Sequence, residues 1–174
     1  MRNLFNFIGF QLVWVSSVWG AASGMWWLGP LAVLLFMAAH FGFGQAAKSD
    51  LRLIGWAVLI GALVDSVFAF SGMLRYASPV PLTWLAPAWI LSMWVSFALT
   101  LNHSLGWMRG RLGIQMAFGA VGGPLAYWIA ERAWGAVTFG TSLPIVILSL
   151  AIAWAIVTPL LLYLANHKGP EAPR

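Results

Sequence analysis

Asp65 is an acid inside an otherwise apolar run, Leu51–Gly72, and a carboxyl placed there must be held by something or do something. Insertion scales put a carboxylate at the centre of a membrane helix at about 2.5–3.5 kcal/mol, offset by a partner, by water or by protonation. Gly61, Asp65, Phe68 and Gly72 share one helical face, with Ala62, Ser66 and Ala69 beside it. That small-residue surface predicts an Asp65 side chain turned into a bundle rather than towards lipid. Arg75 and Arg132, the latter beside Glu131, are candidate partners, and Tyr76 and Tyr127 fall at similar depth. Asp65, Arg75, Tyr76, Tyr127, Glu131 and Arg132 therefore form a candidate outward-facing pocket for a substrate or an ion. The structural alternative is a buried ion pair that fixes helix register.

The opposite shore carries His40 and His103, with Gln45, Asn102 and Gln115 close in depth. Two histidines from separate helices are the donors that a haem or another metal uses. Three histidines in all are too few for a histidine-rich di-iron centre, and interfacial hydrogen bonding is the preferred reading. No metal and no cofactor is assigned. Gly-x-Ser-x-Gly does not occur, and Asp65 lies in the other leaflet from both histidines, so Ser/His/Asp catalysis has no support. Arg109 and Arg111, among glycines in Gly106–Arg111, offer donors for a lipid phosphate or serve as topology determinants. With no cysteine, thiol catalysis, disulfides and Cys-metal sites are excluded.

These residues are positioned by six apolar runs: Leu4–Ala22, Met25–Gly42, Leu51–Gly72, Leu82–Leu101, Leu112–Ile129 and Leu143–Leu164. At about 1.5 Å rise per residue each crosses a hydrocarbon core of about 30 Å. With 61% hydrophobic and 7% charged residues in 174, the expected fold is an all-α integral membrane protein, one six-transmembrane-helix bundle over residues 1–174. Six spans put Arg2, Lys48, Arg52, Arg109, Arg111, Lys168 and Arg174 on one side, and Arg75 and Arg132 on the other. The positive-inside rule then makes both the N-terminus and the C-terminus cytoplasmic. One span more or fewer would mix the basic loops across both faces. Met1-Arg2-Asn3 and Gly20–Ser23 loosely imitate a signal peptide, but the long apolar run between them is read as the first span. The net charge of +5 is scattered, with no basic stripe, so no nucleic-acid partner is expected.

Trp19, Trp26, Trp27, Trp84, Trp128 and Trp134 fall near the outer shore and Trp56 and Trp107 near the inner one, as an aromatic belt does. Trp14, Trp89, Trp94 and Trp154 lie deeper and either line a cavity or face lipid. Gly119-x-x-x-Gly123 marks a close helix contact, and Gly122-Gly123-Pro124 predicts a kink or break in the fifth span.

The start Asn6-Phe7-Ile8-Gly9-Phe10-Gln11, with the neighbourhoods of Asp65 and Asn102-His103-Ser104, resembles the small bacterial inner-membrane proteins of domain of unknown function 2878. That resemblance covers nearly the whole chain. It implies no established activity and no catalytic residue, and it implies genes for acyl-chain modification nearby. The functional expectation is a multi-pass inner-membrane protein that binds or helps modify a membrane lipid, acyl chain or other apolar small molecule. The alternatives are a small proton-coupled transporter using Asp65, and a non-catalytic subunit of a membrane-protein assembly.

Overall fold

An apolar segment away from water can satisfy its backbone only within itself, as a helix, and each of the six runs is helical over all or most of its length. The computed structural model describes residues 2–42 and 48–166, with Lys48 described by its backbone alone. Its helices are α1 (Arg2–Ala22), α2 (Leu28–Gly42), α3 (Lys48–Phe70), α4 (Ala88–Leu101), α5 (Leu112–Ile129) and α6 (Leu143–Asn166). Four stretches, Arg2–Ala22, Ser49–Phe70, Leu112–Trp134 and Leu143–Asn166, are long and apolar enough to cross a membrane, while α2 and α4 are shorter apolar helices. Gln45, the Lys48 side chain, Lys168 and Arg174 lie outside the described residues.

The shortest helix is the hub. α4 packs against α1, α2, α3 and α6, and ten of its fourteen residues are buried. Such a helix must satisfy its own polar side chains. Ser92, Ser96 and Thr100 do this by donating to the carbonyls of Ala88, Met93 and Phe97 at 2.9, 2.9 and 2.6 Å. The span expected from Leu82 begins as helix only at Ala88. Pro79, Pro81 and Pro87 lack backbone donors and cannot continue a helix's hydrogen-bond ladder, and Pro87 caps α4 in the β region.

Two strands that apolar patterning did not anticipate occupy one end of the bundle. β1 (Leu74–Tyr76) pairs antiparallel with β2 (Val137–Phe139), Tyr76 opposite Val137, and ties the α3–α4 connection to the α5–α6 connection. Strand alternation buries Leu74 and Tyr76 and leaves Arg75 exposed. Of the kink or break expected at Gly122-Gly123-Pro124, the break does not occur. α5 runs through the buried Pro124, as membrane helices permit where neighbouring groups satisfy the freed carbonyl. The irregularity lies further on, in a π turn over Ala130–Trp134 that ends at Gly135 with φ 67°.

Gly119 and Gly123 let α5 and α6 meet. A Cβ on Gly119 would strike the Trp154 carbonyl oxygen and Thr158 Oγ1, and one on Gly123 would strike the Trp154 indole, whereas a Cβ on Gly113 meets nothing. Gly119→Ala is expected to cost about 1–3 kcal/mol in unfolding measured in detergent, and Gly113→Ala to stay within about 0.5 kcal/mol. Equal stability of the two variants would contradict this packing.

Candidate functional site

Asp65 is fully buried, and three donors from three elements converge on it. Tyr76 O–H donates to Oδ1 at 2.7 Å, the Tyr127 hydroxyl donates to the same oxygen, and Trp94 Nε1–H donates to Oδ2 at 2.6 Å. Hydrogen bonds to a charged group contribute about 1.5–3 kcal/mol each, so this clamp offsets part of the cost of placing a carboxyl among apolar side chains. Local sequence makes it possible. Gly61 sits one turn before Asp65, and any Cβ there would strike the Trp94 indole, so the glycine lets the ring lie flat across α3. Tyr76 arrives on β1, outside the apolar helices. Its phenol is pushed well above the ordinary value, first by burial and then by the neighbouring carboxylate, and it stays a donor.

Trp94 has a second face. It stacks on Trp154 with centroids 4.8 Å apart and planes 8° apart, and Phe97 meets Trp154 edge-on at 5.5 Å. These rings and Tyr127 form one wall of a groove of about 330 Å³ between α1, α4, α5 and α6, within the size range of small-molecule sites. Phe7, Phe118 and Leu125 line it too and are exposed on the outside of the bundle, so the groove opens sideways. Trp154 Nε1 is buried with no hydrogen-bond partner. Gly122 lines the groove, and a Cβ there would meet nothing within 4 Å.

A second polar centre gathers at the other end of α4. Asp50 in the first turn of α3, His40 near the end of α2 and His103 just after α4 bring ligand-type atoms within 4.8 Å of one another. His40 Nε2 lies 3.4 Å and His103 Nε2 3.1 Å from Asp50 Oδ2. Asn102 Nδ2 donates to the other oxygen at 2.5 Å, and Arg109 donates in turn to Asn102 Oδ1. A porphyrin does not fit between the histidines, whose rings stand 4.7 Å apart against one carboxylate. Nearby, Asn6 holds α1 to this end. Its Nδ2 donates to the Leu99 carbonyl at 3.0 Å and its Oδ1 accepts from Ser104 Oγ at 2.6 Å.

Of the six residues proposed around Asp65, the structure joins Asp65, Tyr76 and Tyr127. Arg75 is exposed on β1, Arg132 is 63% exposed and pairs with Glu131 at 3.5 Å, and Glu131 Oε1 accepts from Phe139 N–H. Of the four residues proposed for the other shore, His40 and His103 meet at Asp50, Arg109 reaches them through Asn102, and Arg111 is exposed ahead of α5. Sequence reasoning missed Asp50 as a participant and Trp94 as a donor. The available signals were an acid at the depth of two histidines and an indole at the depth of a buried carboxyl.

A family model described as protein of unknown function (DUF2878) matches residues 3–160. No curated protein and no solved structure matches the chain.

Removing one donor while keeping its ring isolates the clamp. Tyr127→Phe is expected to lower stability by about 1.5–3 kcal/mol, and Asp65→Asn by more, because its amide brings N–H groups to face incoming donors. Denaturation in detergent measures both; two unchanged transitions would show that the clamp contributes nothing.

Proposed function

The chain belongs to the DUF2878 family of proteins of unknown function, and on that footing we propose that it binds the acyl chain of a membrane lipid, or a similar apolar molecule, in the groove beside Asp65. The observation that carries this reading is the lateral opening of an aromatic-walled groove of about 330 Å³, lined by Phe10, Trp94, Phe97, Tyr127 and Trp154. Apolar lining with a few convergent polar groups is the usual form of a small-molecule site. The occupant's methylenes lie along Phe10, Phe97 and Phe118, with Gln11, Thr100 and Ser104 as the polar side chains of the lining. Over Phe118–Ile129 of α5 the groove runs roughly 16 Å along the helix at its rise per residue.

In this reading the protein crosses the bacterial inner membrane six times, with both termini cytoplasmic. Arg2, Arg52, Arg109 and Arg111 then share the cytoplasmic side, and Arg75 and Arg132 the other. α2 and α4 serve as short spans. Of the residues flanking α4, Ala86 and Met108 are buried, while Leu82, Trp84 and Trp107 are exposed. Proton-coupled transport through Asp65 has less support, since both carboxyl oxygens are occupied by donors. Asp65 instead holds the groove wall in place.

Gly122→Leu fills the groove without touching the clamp. Mass spectrometry of lipids retained by the purified protein is expected to show a several-fold loss against wild type, with the unfolding midpoint unchanged. Equal retention by a folded Gly122→Leu protein would place any bound lipid elsewhere.

A further inference from the structure

His40, Asp50 and His103 stand apart from the groove, and the groove reading does not use them. They come from the end of α2, the start of α3 and the segment after α4, so three separate elements had to converge to bring two imidazoles and one carboxylate together. His40 and Asp50 are almost wholly buried and His103 is 14% exposed.

As a hydrogen-bonded cluster the arrangement is poor. Both Nε2 atoms face the same oxygen, Asp50 Oδ2, and the His40 separation of 3.4 Å exceeds the usual range for N–H donors. As a ligand set the two His–Asp separations fit, and all three ligand atoms lie within 4.8 Å of one another. Nitrogen and oxygen ligands about 2.0–2.2 Å from one ion lie about 3.0 Å apart at right angles and about 3.5 Å apart at the tetrahedral angle. The two observed separations, 3.1 and 3.4 Å, fall between those limits. The carboxylate is also oriented from behind, as metal ligands usually are. Asn102 occupies Oδ1 and is itself held by Arg109, which leaves Oδ2 directed at the histidines.

We propose that His40 Nε2, His103 Nε2 and Asp50 Oδ2 bind one divalent first-row transition-metal ion, of the zinc or ferrous class. Two imidazoles, borderline donors, with one carboxylate suit such ions and leave coordination positions open; magnesium and calcium prefer all-oxygen sites. His103 also lines a cleft of about 730 Å³ with Arg2, Asn3, Asn102 and Arg109. The open positions are reached from this cleft, and its two guanidinium groups suit water or an anionic group as the further ligand.

The test uses the full chain in detergent or nanodiscs, freed of any affinity tag, stripped with chelator and titrated with Zn²⁺, with anaerobic Fe²⁺ and with Co²⁺ as an optical probe. One ion per chain is expected, with Co²⁺ ligand-field bands, and a thermal midpoint that rises on adding metal. His103→Gln keeps an amide donor for Asp50 and is expected to stay folded. It should weaken binding on the order of a hundredfold, since even outer-shell changes cost about 10–100-fold, and it should lose the metal-induced rise. Asn102→Ala, which removes no ligand, should weaken binding by about 10–100-fold. If His103→Gln proves unfolded, Asn102→Ala decides alone. Absence of stoichiometric binding to wild type would overturn the proposal, as would affinities unaltered in the folded variants.

Discussion

A carboxyl group enclosed by apolar helices has to be met by donors, and that requirement shapes the interior of this protein. Asp65 on α3 is met by Trp94 of α4, Tyr127 of α5 and Tyr76 of β1. Each donor depends on something further. Trp94 reaches the carboxyl because Gly61 carries no side chain to lift the ring away. Tyr76 reaches it because β1 pairs with β2 and strand alternation turns the tyrosine inward. One buried side chain thereby links α3, α4 and α5 with the paired strands, and its three donors offset part of the cost of burying it.

The groove follows from the same constraint. Trp94, fixed by its bond to Asp65, offers its other face to Trp154, and Gly119 and Gly123 let α6 approach closely enough for the two rings to stack. A wall fixed in advance spares an occupant the cost of ordering it. α4 joins this region to the second polar centre. Trp94 serves the carboxyl on α3, and residues just beyond the C-terminal end of α4, Asn102 and His103, serve Asp50 in the first turn of the same helix. Asp65 and Asp50, two acids on α3 fifteen positions apart, are thus both matched by groups on or just after α4.

Much of this was readable from residue types. Apolar runs located all six helices, because hydrocarbon leaves a backbone no other way to pair its polar groups. The face shared by Gly61 and Asp65 indicated an inward carboxyl, and Gly119-x-x-x-Gly123 indicated a close helix contact, which the structure makes with α6. Tyr76 and Tyr127 were placed near Asp65 by depth alone. The arginines were expected there as well, because opposite charges attract. The fold instead used neutral donors and left Arg75 and Arg132 exposed at the surface. Periodicity could not reveal β1 and β2, which are three residues each and owe their existence to pairing between distant connections. Nor could it reveal Asp50 as the meeting point of two histidines. An acid in the first turn of a helix reads as ordinary complementarity to the helix dipole until the three ends are seen together.

The most direct measurement is the indole N–H spectrum of ¹⁵N-tryptophan-labelled protein in lipid nanodiscs, with the twelve tryptophans assigned by substitution. A Trp94 indole proton shifted far downfield and protected from exchange, whatever lipid is present, together with a Trp154 indole proton that shifts with the lipid supplied, is the expected result. A Trp94 proton that exchanges freely at an unbonded chemical shift would contradict a clamped Asp65 and remove the wall on which the groove depends.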